Sequence, residues 1–319
     1  MKSRPSVIHA ALPGPDLGVI RVTKDAPGLA NLLFPWARAV VASQRTGLPM
    51  LWPTWRQTGV GALVRRELPR FYGNLFTPSP RYIRGIGKQI DLRTLHQVPE
   101  FPMEKAPPYS TNHLYRFSLI GDLFSPILKD HELVRERLFE IVRAEHRPDG
   151  HSIPYIGVHV RLGDFSRPAS DRDLDIRNGR VNFRMPIEWY THAIRLIREV
   201  VGSAYPVKLF SDGTDAELAP VMALENVSRV PPTSALRDIL NLSQAGVVIA
   251  SGSTFSMWAS YLGRMPVIWH AGQLRQRLYW DRPEIEIEIA GNGRLPPSFV
   301  DLLGCSTDSP IPNSTTETK

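Results

Sequence analysis

Short apolar runs alternate with amphipathic stretches in the second half of the chain. Five apolar runs predict strands at 155–160, 207–211, 227–230, 246–250 and 266–269. Between them, apolar residues at helical spacing predict helices at 186–201, 215–224, 234–244 and 254–262. Apolar strands that alternate with helices are typical of a parallel sheet covered on both faces, so this half is predicted to be an α/β unit.

The first half has a weaker pattern. The β-branched run at 18–23 predicts an opening strand, and a helix is predicted over 29–45 after a glycine turn. A second strand is predicted at 48–52 and a long helix at 117–143. The segment 53–108 is rich in proline, arginine and aromatic residues without a clear period, and it yields no element.

A chain of 319 residues is long enough for two domains. The stretch 145–154, rich in proline, glycine and histidine, is the predicted boundary. We therefore expect an N-terminal domain over 1–150 and a C-terminal domain over 151–305. The remaining 306–319 contain serine, threonine, proline and charged residues with scarcely an apolar one, and are predicted to be disordered.

The composition, 42% hydrophobic and 22% charged, is that of an ordinary globular protein. Cys305 is the one cysteine, which excludes an intramolecular disulfide and a zinc site built on several thiolates, and predicts a reducing, cytoplasmic setting. The apolar stretch near the N-terminus is interrupted by His9 and Pro13, so no secretory signal is predicted. The uncharged stretch 239–263 is dense in polar residues and predicts helix, strand, turn and helix rather than a membrane span.

A net charge of +7 favours an anionic partner, which can be nucleic acid, a membrane surface or a phosphorylated small molecule. Basic residues far outnumber acidic ones between Arg56 and Arg93. This segment is either a solvated or acceptor-side surface or a nucleic-acid groove. No familiar nucleic-acid motif accompanies it, so nucleic-acid binding is not predicted.

A polar loop follows the predicted strand 155–160, and ligands bind at the carboxyl ends of strands in such sheets. Alternation along the strand places His159 and Arg161 on the same face. A guanidinium can hold two phosphate oxygens at once and keeps its charge, which favours a diphosphate ligand. The alternative interpretation is an ion pair between Arg161 and Asp164 that closes the turn.

Two further loops connect a strand to a helix. Ser253 and Thr254 begin the helix at 254–262, where hydroxyls and unpaired backbone N–H groups form an anion site. Plain N-capping explains the same two residues without a ligand. Asp212 follows the strand 207–211 and is either a ribose or acceptor contact or an N-cap.

The segment Asp171-Arg172-Asp173-Leu174-Asp175 offers an Asp-x-Asp pair of the kind that binds metal in some glycosyltransferases. These carboxylates lie among arginines in a loop with no preceding apolar strand. We therefore interpret the segment as a charge-balanced surface loop and predict no metal.

Taken in order, the motifs resemble the fucosyltransferase superfamily, and most closely the bacterial alpha-1,2-fucosyltransferase (glycosyltransferase family 11) type. The resemblance covers 18–52 and 155–269. The similar segments are 27–34 (Gly-Gly-Leu-Gly-Asn-Gln, then a helix with Phe), 159–164 (His-x-Arg-Arg-x-Asp), 188–194 (Glu-Tyr-Tyr-x-x-Ala-Ile), 210–213 (Phe-Ser-Asp-Asp) and 253–258 (Ser-Thr-Phe-Ser-Trp-Trp). This chain departs from the patterns at Ala30, Leu32, Leu162 and Gly213.

The resemblance implies an α/β fold of GT-B type, with two doubly wound Rossmann-like domains whose parallel sheets face a cleft. It implies inverting, metal-independent transfer of fucose from GDP-fucose to a hydroxyl of a glycan acceptor, with no cofactor. The implied partners are a GDP-sugar donor and a glycan acceptor, and a lipid-linked acceptor at the inner face of the membrane is compatible with it. The first alternative is a non-catalytic sugar-nucleotide-binding or glycan-binding protein of the same fold. A basic nucleic-acid-binding protein ranks below it, because it would explain the net charge but not the three loops at the strand ends.

The resemblance also assigns roles to residues. Arg161 neutralises the β-phosphate as the glycosidic bond breaks, Ser253 and Thr254 hold the same phosphates, and His159 and Asp238 read the base. Asp238 stands sixteen residues before Thr254, as in that family. The other residues assigned to the nucleotide-sugar site are Gly28, Asp212, Phe255 and Ser256.

Two residues complete the predicted catalytic set. Asn31 lines the cleft from the N-terminal domain by the same resemblance. Asp164 is the candidate base for the acceptor hydroxyl, since a carboxylate within reach can take that proton. The alternative role of Asp164 is to orient Arg161.

Overall fold

The computed structural model describes residues 3–23, 27–59, 71–148, 153–179 and 181–305. The chain divides into two compact units. The first unit comprises Met1–Pro148 and Ser234–Arg237, and the second comprises Asp149–Thr233 and Asp238–Lys319. The tail predicted to be disordered, 306–319, lies outside the described residues.

The first unit is built on a five-stranded parallel sheet. Its strands are β1 (Val7–Ala10), β3 (Met50–Leu51), β5 (Tyr82–Ile83), β6 (His96–Pro99) and β7 (His113–Phe117), in the order β5-β3-β1-β7-β6. A separate parallel pair is formed by β2 (Arg21–Thr23) and β4 (Gln57–Gly59). The helices are α1 (Leu29–Thr46), α2 (Gly85–Thr94) and α3 (His131–Ile141).

Helix α1 confirms the predicted helix at 29–45. Thirteen of its residues are buried, including Pro35. The helix ends at Gly47, whose positive φ of 70° places its N–H within hydrogen-bonding distance of the Ser43 carbonyl. A glycine tolerates this left-handed conformation without a steric penalty, so the sequence stops the helix there.

Two predicted elements of the first unit are only partly confirmed. The chain enters the sheet at β1, not at 18–23, and of that run only Arg21–Thr23 is a strand, in the two-stranded sheet. The strand β1 was not predicted because the polar His9 interrupts its apolar run, although His9 is itself buried. The predicted helix 117–143 is shortened because Phe117 ends β7 and a 3₁₀ turn at Ser125–Asp130, with proline in its first turn, precedes α3.

The second unit contains a six-stranded parallel sheet. Its strands are β8 (Ile156–Val160), β9 (Val207–Ser211), β10 (Val227–Arg229), β11 (Val247–Ala250), β12 (Val267–His270) and β13 (Glu286–Ile289). The helices are α4 (Ile187–Val201), α5 (Asp215–Met222), α7 (Thr254–Gly263) and α8 (Pro297–Cys305). Helix α6 (Ala235–Leu242) is divided, with 235–237 assigned to the first unit and the rest to the second. Further 3₁₀ turns lie at Asp171–Leu174, Ile176–Asn178 and Pro283–Ile285.

The predicted series from β8 to β12 is confirmed within a few residues at each end. The stretch 239–263 is the end of α6, then β11, then α7, as predicted. Among the described residues, no helix is both long enough and apolar enough to span a membrane. Strands β8, β11 and β12 are buried along their whole length, and the sheet packs with α4 around one apolar cluster that includes Trp189 and Ile194.

The strand order of the second unit is β10-β9-β8-β11-β12-β13, which in chain order is 3-2-1-4-5-6. This is the order of a dinucleotide-binding sheet, and the connections leave β8 and β11 towards opposite sides. In the first unit the corresponding order is 3-2-1-5-4, and the reversal lies between β1 and β7. Ligands bind outside the carboxyl ends of the strands at such reversals, so each unit has one expected binding edge.

Candidate functional site

The three loops predicted to carry chemistry follow β8, β9 and β11. These strands are consecutive neighbours in the sheet, and all of them are parallel, so their carboxyl ends lie at one edge. The reversal of strand order between β8 and β11 lies at the same edge. The topology therefore brings together the loops that the sequence singled out.

Arg161 is held between two carboxylates at the end of β8. Its Nη2 lies 2.6 Å from Asp164 Oδ1, and its Nη1 lies 2.5 Å from Asp212 Oδ2. The ion pair between Arg161 and Asp164, which was the alternative interpretation of the sequence, is therefore formed in the structure. The guanidinium also lies 5.6 Å from the centre of the Phe165 ring and is 30% exposed, so it remains accessible at this edge.

Asp212 ties the β8 and β9 loops together. Besides Arg161, it binds the backbone N–H of Leu162 at 2.8 Å. The interpretation of Asp212 as an N-cap is wrong, because Thr214 and Glu217 form the capping box of α5. A Cβ on Gly163 would collide with the Asp212 carboxylate, so any other residue there would displace this side chain from its present position.

His159 joins β8 to the start of α7. Its Nδ1 lies 2.7 Å from the Ser256 hydroxyl and 2.9 Å from the Ser251 hydroxyl. Its ring stacks on Phe255, with centroids 4.4 Å apart and an interplanar angle of 22°. Because Nδ1 is engaged by serines, a ligand contact from this ring would have to use Nε2.

Burial keeps the His159 ring neutral. Burial and the nearby Arg161 lower the pKa of His159 to about 3, against the opposing effect of Asp212. A neutral imidazole accepts one hydrogen bond and donates another, which suits a ring enclosed by hydroxyls.

This pKa predicts that acidification destabilises the fold. In the unfolded chain the histidine binds a proton near pH 6.5 but in the folded protein only near pH 3, so stability is complete above the first value and is lost as the pH falls towards the second. Between about pH 6.5 and about pH 5 the loss is about 1.5 kcal/mol. We expect His159→Gln to flatten the dependence of the urea midpoint on pH. Replacement of the exposed His96 by glutamine is the control, and an equal flattening there would contradict this assignment.

The serines at the start of α7 have structural partners. Ser253 caps the helix by accepting a hydrogen bond from the Ser256 N–H, and its hydroxyl lies 3.0 Å from that of Ser251. The interpretation of Ser253 as an N-cap residue is therefore confirmed. Ser256 is fully buried. Its hydroxyl lies 2.7 Å from His159 Nδ1, and its assignment to the nucleotide-sugar site stays a prediction.

Thr254 and Asp238 lie at helix starts on the same edge. Thr254 is the first residue of α7 and is partly exposed. Asp238 lies in the first turn of α6, which follows β10 and so begins at the carboxyl side of the sheet. The Thr233 hydroxyl donates to Asp238 Oδ1 at 2.6 Å. Their roles in phosphate and base binding stay predictions.

Gly28 and Asn31 belong to the first unit. Gly28 is the N-cap residue of α1, and its carbonyl accepts a hydrogen bond from the Asn31 N–H at 3.1 Å. A Cβ on Gly28 would meet no atom within 4 Å, and the next N–H of the helix, that of Leu29, donates to the Tyr72 hydroxyl at 3.2 Å. The assignment of both residues to the site stays a prediction.

One basic residue at this edge was missed by the motifs. Arg275 lies in the loop after β12, and its Nε and Nη2 are buried without a hydrogen-bond partner among the described residues. Burial lowers the pKa of Arg275. Two residues earlier, Gln273 packs so closely on Gly252 that a Cβ there would collide with it. No sequence periodicity marks Arg275; only its place after a predicted strand could have indicated it.

The Asp171–Asp175 segment forms 3₁₀ turns rather than a cluster of carboxylates. Asp173 accepts hydrogen bonds from the backbone N–H groups of Ala169 and Ser170, and Asp175 forms an ion pair with Arg177 at 2.7 Å. Within the described ranges, no group of three or more histidine, cysteine, aspartate or glutamate residues is arranged to hold a metal ion.

Comparison with known proteins supports the fold. No protein-family model matches the chain, and no curated protein matches it in sequence. Among solved structures it is similar to the alpha-1,6-fucosyltransferase NodZ soaked with GDP-fucose, with a TM-score of 0.51 and 18% identity over 84% of this chain and 95% of that one. It is also similar to the selenomethionine form of the fucosyltransferase NodZ from Bradyrhizobium, with a TM-score of 0.50 and 17% identity over 84% and 95%.

This likeness concerns the fold. The predicted fold class, α/β of GT-B type with two Rossmann-like parallel-sheet units, is confirmed. Both matched structures are fucosyltransferases, the superfamily that the motifs resemble. The first transfers with alpha-1,6 rather than alpha-1,2 linkage, so the predicted alpha-1,2 type is not confirmed.

Proposed function

We propose that this protein is an inverting, metal-independent glycosyltransferase that moves fucose from GDP-fucose to a hydroxyl of a glycan acceptor. The observation that supports this most directly is the position of Arg161. It is an accessible guanidinium at the strand-order reversal of a dinucleotide-type sheet, and that sheet belongs to a fold shared with a transferase soaked with GDP-fucose.

The donor nucleotide is proposed to bind at the carboxyl edge of the second unit. Arg161 pairs with the diphosphate, and the first turn of α7, with Thr254, offers backbone N–H groups to it. Arg275 supplies a second cation from the β12 loop, because a phosphate oxygen would give its buried N–H groups the partners they lack. Asp238 accepts hydrogen bonds from the guanine edge.

The proposed chemistry is a single displacement. The acceptor oxygen forms a bond to the anomeric carbon as the bond from that carbon to the β-phosphate oxygen breaks, and the electron pair leaves with GDP. Negative charge grows on the leaving phosphate, so fixed cations there lower the barrier without a metal ion. Asp164, which is exposed beside Arg161, takes the hydroxyl proton.

Before the transfer step, Arg161 must release at least one of its two carboxylate partners so that it can bind a phosphate. Asp212 also holds the Leu162 N–H, whereas Asp164 is bound to Arg161 and is more exposed. Asp164 is therefore the partner that is released, which frees its oxygens to act as the base. The proposed alpha-1,2 linkage rests on the motif resemblance alone.

Nucleotide selectivity tests the donor assignment. Thermal shifts of the purified protein with GDP, UDP and ADP should show stabilisation by GDP, about 2.7 kcal/mol at a hundredfold excess over the dissociation constant. Asp238→Asn should weaken GDP binding about tenfold and leave ADP binding unchanged, because the lost carboxylate serves only guanine.

The matched control for this measurement is Asp215→Asn. Asp215 is an aspartate in the first turn of α5, and its carboxylate is 91% exposed. Equal stabilisation by the three nucleotides would contradict the GDP assignment. Binding of GDP-fucose without release of GDP, with any acceptor, would favour the non-catalytic alternative. Activity that vanishes with a chelator and returns with manganese would contradict metal independence.

A further inference from the structure

An exposed apolar patch lies where the loop after β1 meets helix α2. The helix presents Ile86 and Ile90 to solvent, with exposed fractions of 80% and 38%, and the loop presents Leu17 and Val19, with 59% and 73%. Large aliphatic side chains are usually buried, and a cluster of them on a surface commonly marks a contact with another molecule. These four residues are called the aliphatic patch below.

The four residues belong to one surface because the loop and the helix are in contact. Gly18, between the two loop residues of the patch, lies so close to α2 that a Cβ on it would overlap the side-chain amide of Gln89. Helical spacing places the two isoleucines on one face of α2, and Gln89 lies beside that face. The two loop residues therefore flank the point at which the loop contacts the helix.

A buried polar cluster holds the loop on the helix. Asp16 Oδ1 accepts hydrogen bonds from the Gly18 N–H at 2.7 Å and the Thr54 hydroxyl at 2.8 Å. Asp16 Oδ2 lies 3.2 Å from Nζ of the buried Lys88 in α2, which also donates to the Thr54 hydroxyl. A buried ion pair seldom adds stability over an apolar pair of the same volume, but this one ties the turn that carries the patch to α2.

The exposed charges beside the patch are cationic. Arg84 precedes α2, and helical spacing places Arg93 on the same face of α2 as the two isoleucines. Both arginines are exposed, and neither forms an ion pair with another described residue. The carboxylates of the loop and the helix do not offset them, because Asp16 belongs to the buried ion pair and Asp91 lies 3.4 Å from Arg4 Nη1.

An anionic lipid bilayer fits this combination better than a nucleic acid or a protein does. A nucleic acid would bind the arginines but leave the aliphatic side chains without an apolar partner, because such interfaces are polar and wet. A stable protein interface takes about 20–30 residues a side, many more than this patch contains. At a bilayer surface, aliphatic side chains enter the boundary of the acyl chains while guanidinium groups bind lipid phosphates.

We propose that the aliphatic patch docks the first unit on an anionic bilayer, with its four side chains inserted among the lipids and with Arg84 and Arg93 bound to lipid phosphates. The buried ion pair then positions the loop against α2. The same docking accounts for the excess of basic over acidic residues between Arg56 and Arg93. It goes beyond the proposed transfer reaction and uses none of the residues assigned to it.

Cosedimentation of the full chain with lipid vesicles tests this proposal. The vesicles consist of phosphatidylcholine alone or of phosphatidylcholine mixed with phosphatidylglycerol, and no nucleotide is present. We expect binding to the anionic vesicles and little binding to the neutral ones. Binding should weaken at least about tenfold as the ionic strength rises from about 0.1 M to about 1 M, because salt screens the arginines.

Net charge alone would give salt-sensitive binding, so the apolar contribution is tested separately. Ile86→Gln combined with Val19→Thr should weaken binding to the anionic vesicles at least about tenfold, because aliphatic surface that inserts is lost. The urea midpoint should not change, since both positions are exposed. The matched control is Ile153→Gln in the second unit, whose residue is 76% exposed and whose substitution should leave binding unchanged.

The arginines have a control of the same kind. Arg84→Gln and Arg93→Gln should each weaken binding to the anionic vesicles about fivefold, because each removes one cation from the lipid surface. Arg195→Gln replaces an exposed arginine of α4 in the second unit and should leave binding unchanged.

Insertion into the lipid is measured by fluorescence. In a chain whose Cys305 is replaced by serine, Ile86→Cys is labelled with a nitrobenzoxadiazole dye. Its emission should shift to shorter wavelength when anionic vesicles are added, and spin-labelled lipid should quench it. The same dye on Ile153→Cys should show neither change.

The proposal is overturned if anionic vesicles do not bind the protein, if the Ile86→Gln and Val19→Thr double variant binds as tightly as the unchanged protein, or if spin-labelled lipid does not quench the dye at position 86. A dimer in solution that the double variant converts to a monomer would also overturn it, in favour of a second copy of the chain. Vesicle binding without any GDP binding would overturn the proposed function and leave this inference standing, and GDP binding without vesicle binding would do the reverse.

Discussion

Replacing Arg161 with alanine is expected to reduce fucose transfer from GDP-fucose at least about a hundredfold while leaving the fold intact. The cation is needed only as charge develops on the leaving phosphate, whereas its present partners, Asp164 and Asp212, are both partly exposed. The turnover is measured as GDP released in the presence of acceptor, and the fold is checked by circular dichroism and the urea midpoint.

Two further variants sharpen this test. Arg161→Lys keeps the charge but loses the planar fork that holds two oxygens, so an intermediate rate is expected. Arg177→Ala removes an arginine that is 81% exposed and bound to Asp175 in the same unit, and near-native turnover is expected. Near-native turnover in Arg161→Ala itself would refute the assignment of the diphosphate site.

Lys88 Nζ lies 3.2 Å from Asp16 Oδ2, and the two side chains are 3% and 12% exposed. Lys88→Met is expected to lower the free energy of unfolding by about 3–5 kcal/mol, because it leaves the largely buried carboxylate of Asp16 without its cation. At present Lys88, Thr54 and the Gly18 N–H together outweigh the effect of burial and lower the pKa of Asp16. Urea denaturation at neutral pH measures the loss.

A double variant separates charge from packing. Adding Asp16→Asn to Lys88→Met removes the uncompensated charge and keeps an oxygen for Thr54, so we expect much of the lost stability to return. Arg93→Met, an exposed position on the same helix, should change stability by no more than about 0.5 kcal/mol. If Arg93→Met costs as much as Lys88→Met, the buried ion pair is not the cause.

The second unit was predictable because its central strands β8, β11 and β12 are buried on both faces. Continuous apolar runs such as Val247–Ala250 stand out against polar turns, and the helices between them have one apolar face. The strand β13 was not predicted, although its alternation of glutamate and isoleucine is a period-two signal, because Glu286 is a buried carboxylate. A local pattern of apolar residues identifies strands whose buried side chains are apolar, and it misses strands that bury polar side chains.

The first unit was harder for the same reason. Strands β3 and β5 have two residues each, too short for any period, and β1 contains the buried His9. The loop positions of Arg161 and Ser253 followed from the order of strands and helices. The ion pairs of Arg161 with Asp212 and of Asp16 with Lys88 could not be predicted, because contacts between residues far apart in the chain leave no periodic pattern in the sequence.

The central strands of the two sheets share one feature. His9 and His159 are each the second-last residue of the first strand of their sheet, and burial keeps both rings uncharged. Since each imidazole gains a proton more readily in an unfolded chain, mild acid lowers the free energy of unfolding through both histidines at once. A single histidine in each sheet therefore makes the two units of the chain respond together to acid.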